Sequence, residues 1–281
     1  MKTIAVLGAG IMGAGIAQVA SQGGYTVILR DLQMTLVNDG INTINKNLDK
    51  LIKKDMITSN EKEEVLSRIQ GTTDLSALKE ADLVIEAVVE NMAIKKQLFS
   101  ELDNLCKDSV ILATNTSSLS ITEIASVCRN PERVIGMHFF NPVPIMKLVE
   151  IVKGIQTSNQ TVAYTQEFLN KIGKEFIMVE KERPGYVVNR ILTLYINEAI
   201  FLYADGLADA DAIDAAMKLG AGMPVGPLAL ADKIGLDTLY SILLAFYGEF
   251  RDTKYRPHPH LATMIRAGYL GKKSGQGFYK Y

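Results

Sequence analysis

Thr3-Ile-Ala-Val-Leu-Gly-Ala-Gly-Ile-Met-Gly13 decides how the rest of the chain is read. Residues 3–7 form a short, almost wholly apolar run, the pattern of a strand covered on both faces of a parallel sheet. Glycines follow at 8, 10 and 13, and residues 11–22 suit a helix. A second β-rich run, residues 25–29, leads to Arg30 and Asp31, the acid lying 18 residues past Gly13. Strand, glycine turn, helix, strand and acid in this order spell a dinucleotide-binding βαβ unit. Gly8 permits the tight turn, Gly10 lets the backbone approach a pyrophosphate, and Gly13 lets the helix lie close on the strand. The helix start at Ile11 and Met12 offers N–H groups to phosphate. Asp31 would accept the adenosine ribose hydroxyls and repel a 2′-phosphate, which favours NAD. The guanidinium of Arg30 beside it keeps NADP open.

Outward from this unit, further buried-strand patterns fall at residues 83–89, 110–114, 134–140, 148–152 and 176–179, with helical patterns between the earlier ones. Such alternation predicts an α/β fold, an N-terminal Rossmann-like doubly wound parallel sheet. After Glu182-Arg183-Pro184-Gly185 no strand pattern remains. Residues 187–204, 210–219 and 232–250 read as helices, with Gly222-Met-Pro-Val-Gly-Pro227 as a break. The expected organisation is a domain over 1–183 that binds the dinucleotide and a smaller all-helical C-terminal domain over 184–281.

Composition fits this. The 281 residues are 48% hydrophobic and 22% charged, with a formal net charge of -1, and no block of like charge reaches five residues. Disorder and nucleic-acid binding are therefore not expected. No apolar run approaches the ~18 residues of a membrane span. Cys106 and Cys128 form no CxxC pair, so no metal site is expected and a reducing, cytoplasmic compartment is the simplest reading. The glycines of residues 8–23 argue against reading the N-terminus as a signal peptide.

Three histidines are available as a general base. His258 and His260 lie in an irregular polar segment of the helical half and read as structural. His138 closes the run Val134-Ile-Gly-Met137, at the sheet edge where ligands of open parallel sheets collect. With an unperturbed pKa of about 6.5, a histidine there can take or give a proton near neutrality; a packing histidine is the other reading. Glu150 interrupts the apolar run Leu148-Val-Glu-Ile-Val152, and a carboxylate there is costly unless paired. It is either the partner of His138 or a surface charge on an edge strand. Ser117, in Thr114-Asn-Thr-Ser-Ser118, reaches the same sheet edge, where it would bond a substrate oxygen or cap a helix. Lys46, Lys50, Lys53 and Lys54 follow the spacing of one helix face. They form either a phosphate-binding stripe or a solvated one.

Together these segments resemble the short-chain L-3-hydroxyacyl-CoA dehydrogenases, and the resemblance runs the length of the chain. It is carried by residues 8–13 with Asp31, by Ala113-Thr-Asn-Thr-Ser-Ser118, and by Gly136-Met-His-Phe-Phe-Asn-Pro-Val-Pro144. Pro184-Gly-Tyr-Val-Val-Asn-Arg190, Gly226-Pro-Leu228 with Asp232, and Gly271-Lys-Lys-Ser-Gly-Gln-Gly-Phe-Tyr279 add to it. The resemblance implies that His138 is the catalytic base, Glu150 its partner, and Ser117 and Asn189 the ligands of substrate oxygens. It places Gly8, Gly10, Ile11, Met12, Gly13, Asp31, Glu90, Lys95, Asn115, Asn141 and Lys273 at the NAD site. Lys54, with Lys50 and Asn47, falls where the family meets CoA. Asn47 stands where relatives often have Ser, and Tyr186 where Phe is usual. The implied reaction is hydride exchange between a nicotinamide and a 3-hydroxyacyl-CoA, in the four-carbon case acetoacetyl-CoA and (S)-3-hydroxybutyryl-CoA. The helical domain is expected to join two or more copies of the chain, with no membrane partner.

Overall fold

The run that opens the chain becomes β1 (Thr3–Leu7), an interior strand of an eight-stranded sheet. Ile4, Val6 and Leu7 are completely buried, and side chains of this kind stabilise a fold by about 1.5–3 kcal/mol each. The computed structural model describes residues 2–281, which divide into one unit ending at Arg183 and another spanning Pro184–Tyr281.

In the first unit β1 is followed by α1 (Ile11–Gln22), β2 (Thr26–Arg30), α2 (Met34–Ile52), α3 (Ser59–Ser67), β3 (Ile69–Thr72) and β4 (Leu83–Glu86). Then come α4 (Met92–Leu105), β5 (Ile111–Thr114), α5 (Ile121–Ala125), β6 (Val134–Phe139), β7 (Leu148–Val152), α6 (Asn159–Lys171) and β8 (Glu175–Val179). The sheet order is β3-β2-β1-β4-β5-β6-β7-β8. Strand order reverses between β1 and β4, so the crevice for a ligand opens beyond the carboxyl ends of these two. Gly8 adopts a φ of +92°, and a Cβ on Gly13 would stand 1.7 Å from the Gly8 carbonyl oxygen, so both positions demand glycine.

Several expectations are corrected here. The sheet is not wholly parallel: β7 runs antiparallel to β6, and β8 runs parallel to β7. The short connection from β6 to β7 is the cause, because a parallel return needs a crossover of a dozen or more residues. β3, Ile69-Gln-Gly-Thr72, was not expected; it is a partly exposed edge strand with no apolar run. The strand pattern over 83–89 stops at Glu86, because the Val88 N–H turns back onto the Glu86 carboxylate at 2.6 Å.

The second unit is helical: α7 (Val188–Ala204), α8 (Ala210–Gly220), α9 (Pro227–Ile234), α10 (Leu236–Phe250) and α11 (Pro259–Arg266). Ile196, Ile200, Leu228, Leu236, Leu243 and Leu261 lie in its core and are fully buried. The helix expected over 232–250 is two helices. Gly235, at a φ of +102°, separates α9 from α10. Among the described residues no helix is long and apolar enough to cross a membrane.

Candidate active site

The glycine turn and the ends of β2 and β4 enclose a cavity of about 500 Å³, with Gly8, Gly10, Asp31, Leu32, Val88 and Ile94 among its walls. Asp31 is held on both oxygens: Oδ2 accepts the Ala9 N–H at 2.7 Å and Oδ1 the Leu32 N–H at 2.6 Å. Its carboxylate therefore stands fixed beside the first glycine. The Arg30 Nε donates to the Thr73 carbonyl at 3.2 Å. Gly10 precedes α1 as a cap with no side-chain hydrogen bond to offer, and a Cβ built on it would meet nothing within 4 Å. An uncapped helix start facing open space suits a pyrophosphate. Ile11 is exposed and Met12 half-buried at this first turn. The residues present fit a dinucleotide.

The second half of the site comes from the antiparallel pair. His138 on β6 and Glu150 on β7 are direct register partners. Opposite residues of neighbouring strands point to the same face, and here His138 Nδ1 lies 2.6 Å from Glu150 Oε2. Glu150 is completely buried and His138 is 5% exposed. Since β7 lies between β6 and β8, the reading of Glu150 as an edge-strand surface charge is excluded. A carboxylate partner makes Nδ1 the donor and leaves Nε2 of the neutral ring as the acceptor nitrogen. The Phe140 ring lies against the imidazole, centroids 4.5 Å apart.

Around this pair the other expected residues take distinct places. The Asn115 Oδ1 accepts the Phe139 N–H at 2.9 Å, tying the end of β5 to the strand of His138. Ser117 lies in the turn after β5, where Oε1 of Glu90 accepts the Thr116 hydroxyl at 2.6 Å and the N–H groups of Ser117 and Ser118 at 3.0 and 3.2 Å. Burial alone would raise the Glu90 carboxyl. The Thr116 hydroxyl, the Lys95 ammonium, the Ser117 N–H and the Ser118 hydroxyl outweigh it and hold the group below the usual carboxylate range. Asn141 is exposed on the β6–β7 connection.

The other expected residues take places that the sequence did not specify. Lys95 is 1% exposed and its ammonium binds both oxygens of Glu86, at 2.6 and 2.8 Å. The four lysines do not share one helix face, because α2 ends at Ile52, Asp55 turns the chain with a φ of +53°, and Lys53 and Lys54 lie in that turn. All four are exposed. Asn47 donates its amide to Gln18 Oε1 at 3.3 Å. In the helical unit, Asn189 is half-buried near the start of α7, and Lys273 pairs with Asp237 at 2.6 Å. Among the described residues no group of three or more His, Cys, Asp or Glu could hold a metal. Sequence reasoning missed Glu86, whose signal was the same as that of Glu150: a carboxylate inside an apolar strand.

Comparison with known proteins decides the family. Residues 3–183 match the model of the 3-hydroxyacyl-CoA dehydrogenase NAD binding domain, and residues 185–281 match that family's C-terminal domain. The chain belongs to the 3-hydroxyacyl-CoA dehydrogenase family. It is 51% identical over 278 residues to the 3-hydroxybutyryl-CoA dehydrogenase of Clostridioides difficile, covering 99% of each chain. The human mitochondrial hydroxyacyl-coenzyme A dehydrogenase is 42% identical, over 100% of this chain and 91% of that one. The crystal structure of (S)-3-hydroxybutyryl-CoA dehydrogenase from Ralstonia eutropha superposes with a TM-score of 0.97 at 47% identity, covering 100% and 99%. As a family member the chain is an oxidoreductase with an NAD-binding domain.

Proposed function

We propose that this dehydrogenase interconverts acetoacetyl-CoA and (S)-3-hydroxybutyryl-CoA, with His138 as the proton-transfer group. The observation that carries the reading is the buried His138–Glu150 pair, held by strand register in the sheet that also carries the dinucleotide turn. The names of the relatives support the four-carbon substrate. NAD, when bound, takes up or supplies the hydride. Gly8, Gly10, Ile11, Met12, Gly13 and Asp31 would hold it, with Glu90, Lys95, Asn115, Asn141 and Lys273 matching further family positions.

In oxidation His138 Nε2 removes the proton of the 3-hydroxyl, and Glu150 stabilises the imidazolium that forms. In reduction the protonated ring returns that proton to the oxygen at C3. Ser117 and Asn189 hold the substrate oxygens, which keeps the reacting atoms within ~3–3.5 Å. Asn47, Lys50 and Lys54 meet the CoA portion, the exposed lysines by charge. The Asp31 carboxylate favours NAD over NADP, while the Arg30 guanidinium beside it keeps NADP open. The helical unit joins copies of the chain, for which exposed Ile191 and Leu219 provide apolar surface. Unpaired Cys106 and Cys128 suit a reducing cytoplasm.

The test is NADH oxidation with acetoacetyl-CoA in three proteins. His138→Ala should lower kcat by ~10²-fold or more, the scale of general acid–base catalysis. Glu150→Gln should lose rate while NADH still binds. Near-normal turnover of His138→Ala removes the assignment.

A further inference from the structure

Among the buried charges of the first unit that have no part in the scheme above is the carboxylate of Glu86. It ends β4, between β1 and β5, and is completely buried. A carboxylate in such a place is costly unless it is paired and fully hydrogen-bonded. Glu86 is both. Lys95 Nζ reaches its two oxygens, the Thr114 hydroxyl donates to Oε2 at 2.7 Å, and the Val88 N–H donates to Oε1 at 2.6 Å. Lys95 then faces Oε2 of Glu90 at 3.6 Å. The other oxygen of Glu90 gathers the turn of Thr116, Ser117 and Ser118, including the Ser117 hydroxyl at 3.4 Å. Charge thus alternates minus, plus, minus from inside the sheet to the turn that carries Ser117.

We propose that Glu86 is a positioning residue that sets the Ser117 hydroxyl for the substrate, by retaining Lys95 and so leaving Glu90 to the serine turn. The inference rests on the functional reading above, which gives Ser117 its substrate contact. Its physical basis is the cost of an unpaired buried ammonium. With Glu86 neutral, Lys95 has one carboxylate left. It draws Glu90 from the 3.6 Å contact into a direct pair and away from the turn. The damage reaches Ser117, which Glu86 does not touch. Removing both charges at once leaves nothing to pull on Glu90.

The experiment compares full-length wild type, Glu86→Gln, Lys95→Met, Glu86→Gln/Lys95→Met and Glu86→Asp. Steady-state kcat and KM are measured with acetoacetyl-CoA and NADH, and NADH affinity by fluorescence without acyl substrate. Glu86→Gln should lose roughly tenfold or more in kcat/KM, chiefly through KM for acetoacetyl-CoA, and at saturating NADH the double variant should recover most of that rise in KM, whatever the loss of Lys95 does to NADH affinity. Glu86→Asp should fall between wild type and Glu86→Gln. A merely structural role makes the two single losses add, so a double variant as poor as Glu86→Gln overturns the proposal. If Glu86→Gln fails to fold, the double variant decides alone: a KM for acetoacetyl-CoA at saturating NADH within about threefold of wild type supports the proposal, and a larger rise overturns it. Wild type that binds NADH yet leaves acetoacetyl-CoA unreduced sinks the functional reading itself. An active wild type with an unchanged Glu86→Gln sinks only the role of Glu86.

Discussion

At Glu90 one carboxylate oxygen collects the hydroxyls of Thr116, Ser117 and Ser118 and two backbone N–H groups, and this crowding has a pH signature. The folded protein holds the group below its ordinary value. A carboxylate depressed by folding stabilises the fold above its unfolded pKa of about 4.3, and that contribution fades as pH falls through the lower folded value. Glu90→Gln should therefore melt below wild type near neutrality, with the gap closing in acid. Thermal unfolding from about pH 7 down to about pH 3 measures it; a gap that stays constant with pH contradicts the ionised role. Residues of this kind differ in how far sequence exposes them. Glu150 announces itself by interrupting an apolar run. Glu86 does the same in Leu83-Val-Ile-Glu86, but the apolar Ala87-Val-Val89 beyond it made the strand look longer and hid the signal. The burial of Lys95 has no signature in sequence, since a lysine one turn into a helix reads as solvated.

Among the elements, the break between α9 and α10 depends on one backbone position. Gly235 holds a φ of +102°, and a Cβ there would lie 3.1 Å from Asp237 Oδ1 and 3.2 Å from Lys273 Nζ. Those side chains can yield, but the backbone conformation penalises any L residue. Strain of about 1–3 kcal/mol is expected for Gly235→Ala. In a chain of this size that lowers Tm by roughly 5 °C, read by calorimetry. An unchanged Tm would mean that the junction tolerates another geometry. The same position explains a misread element, because apolar periodicity ran through 232–250 and gave no hint of a left-handed break. β3 escaped for the opposite reason: Gln70 and Gly71 leave no run to see, and pairing with β2 makes the strand. By contrast α1 was legible to its ends, because the glycine turn fixes its start and Gly23-Gly24 follow its end.

For the molecule as a whole, the α/β sheet and the helical remainder were readable because buried parallel strands and amphipathic helices leave different periods in a sequence. The residues of β7 look the same in either direction, and the sign of its orientation lay instead in the short connection after β6, which the alternating strand–helix pattern overrode. At this scale the proposed reaction releases a proton with each NADH formed. Acid should shift the equilibrium toward the hydroxyacyl ester and alkali toward the ketoacyl ester, in proportion to proton concentration. Product ratios measured at equilibrium across pH test this, and a ratio independent of pH would rule out the proton balance. One consequence of the β6–β7 ladder remains. Because His138 and Glu150 sit at the same rung, their spacing is gauged by interstrand geometry and not by the tether between them. That tether can be lengthened or trimmed without retuning the couple, whereas one residue inserted into β7 before Glu150 would turn the acid to the opposite side of the sheet.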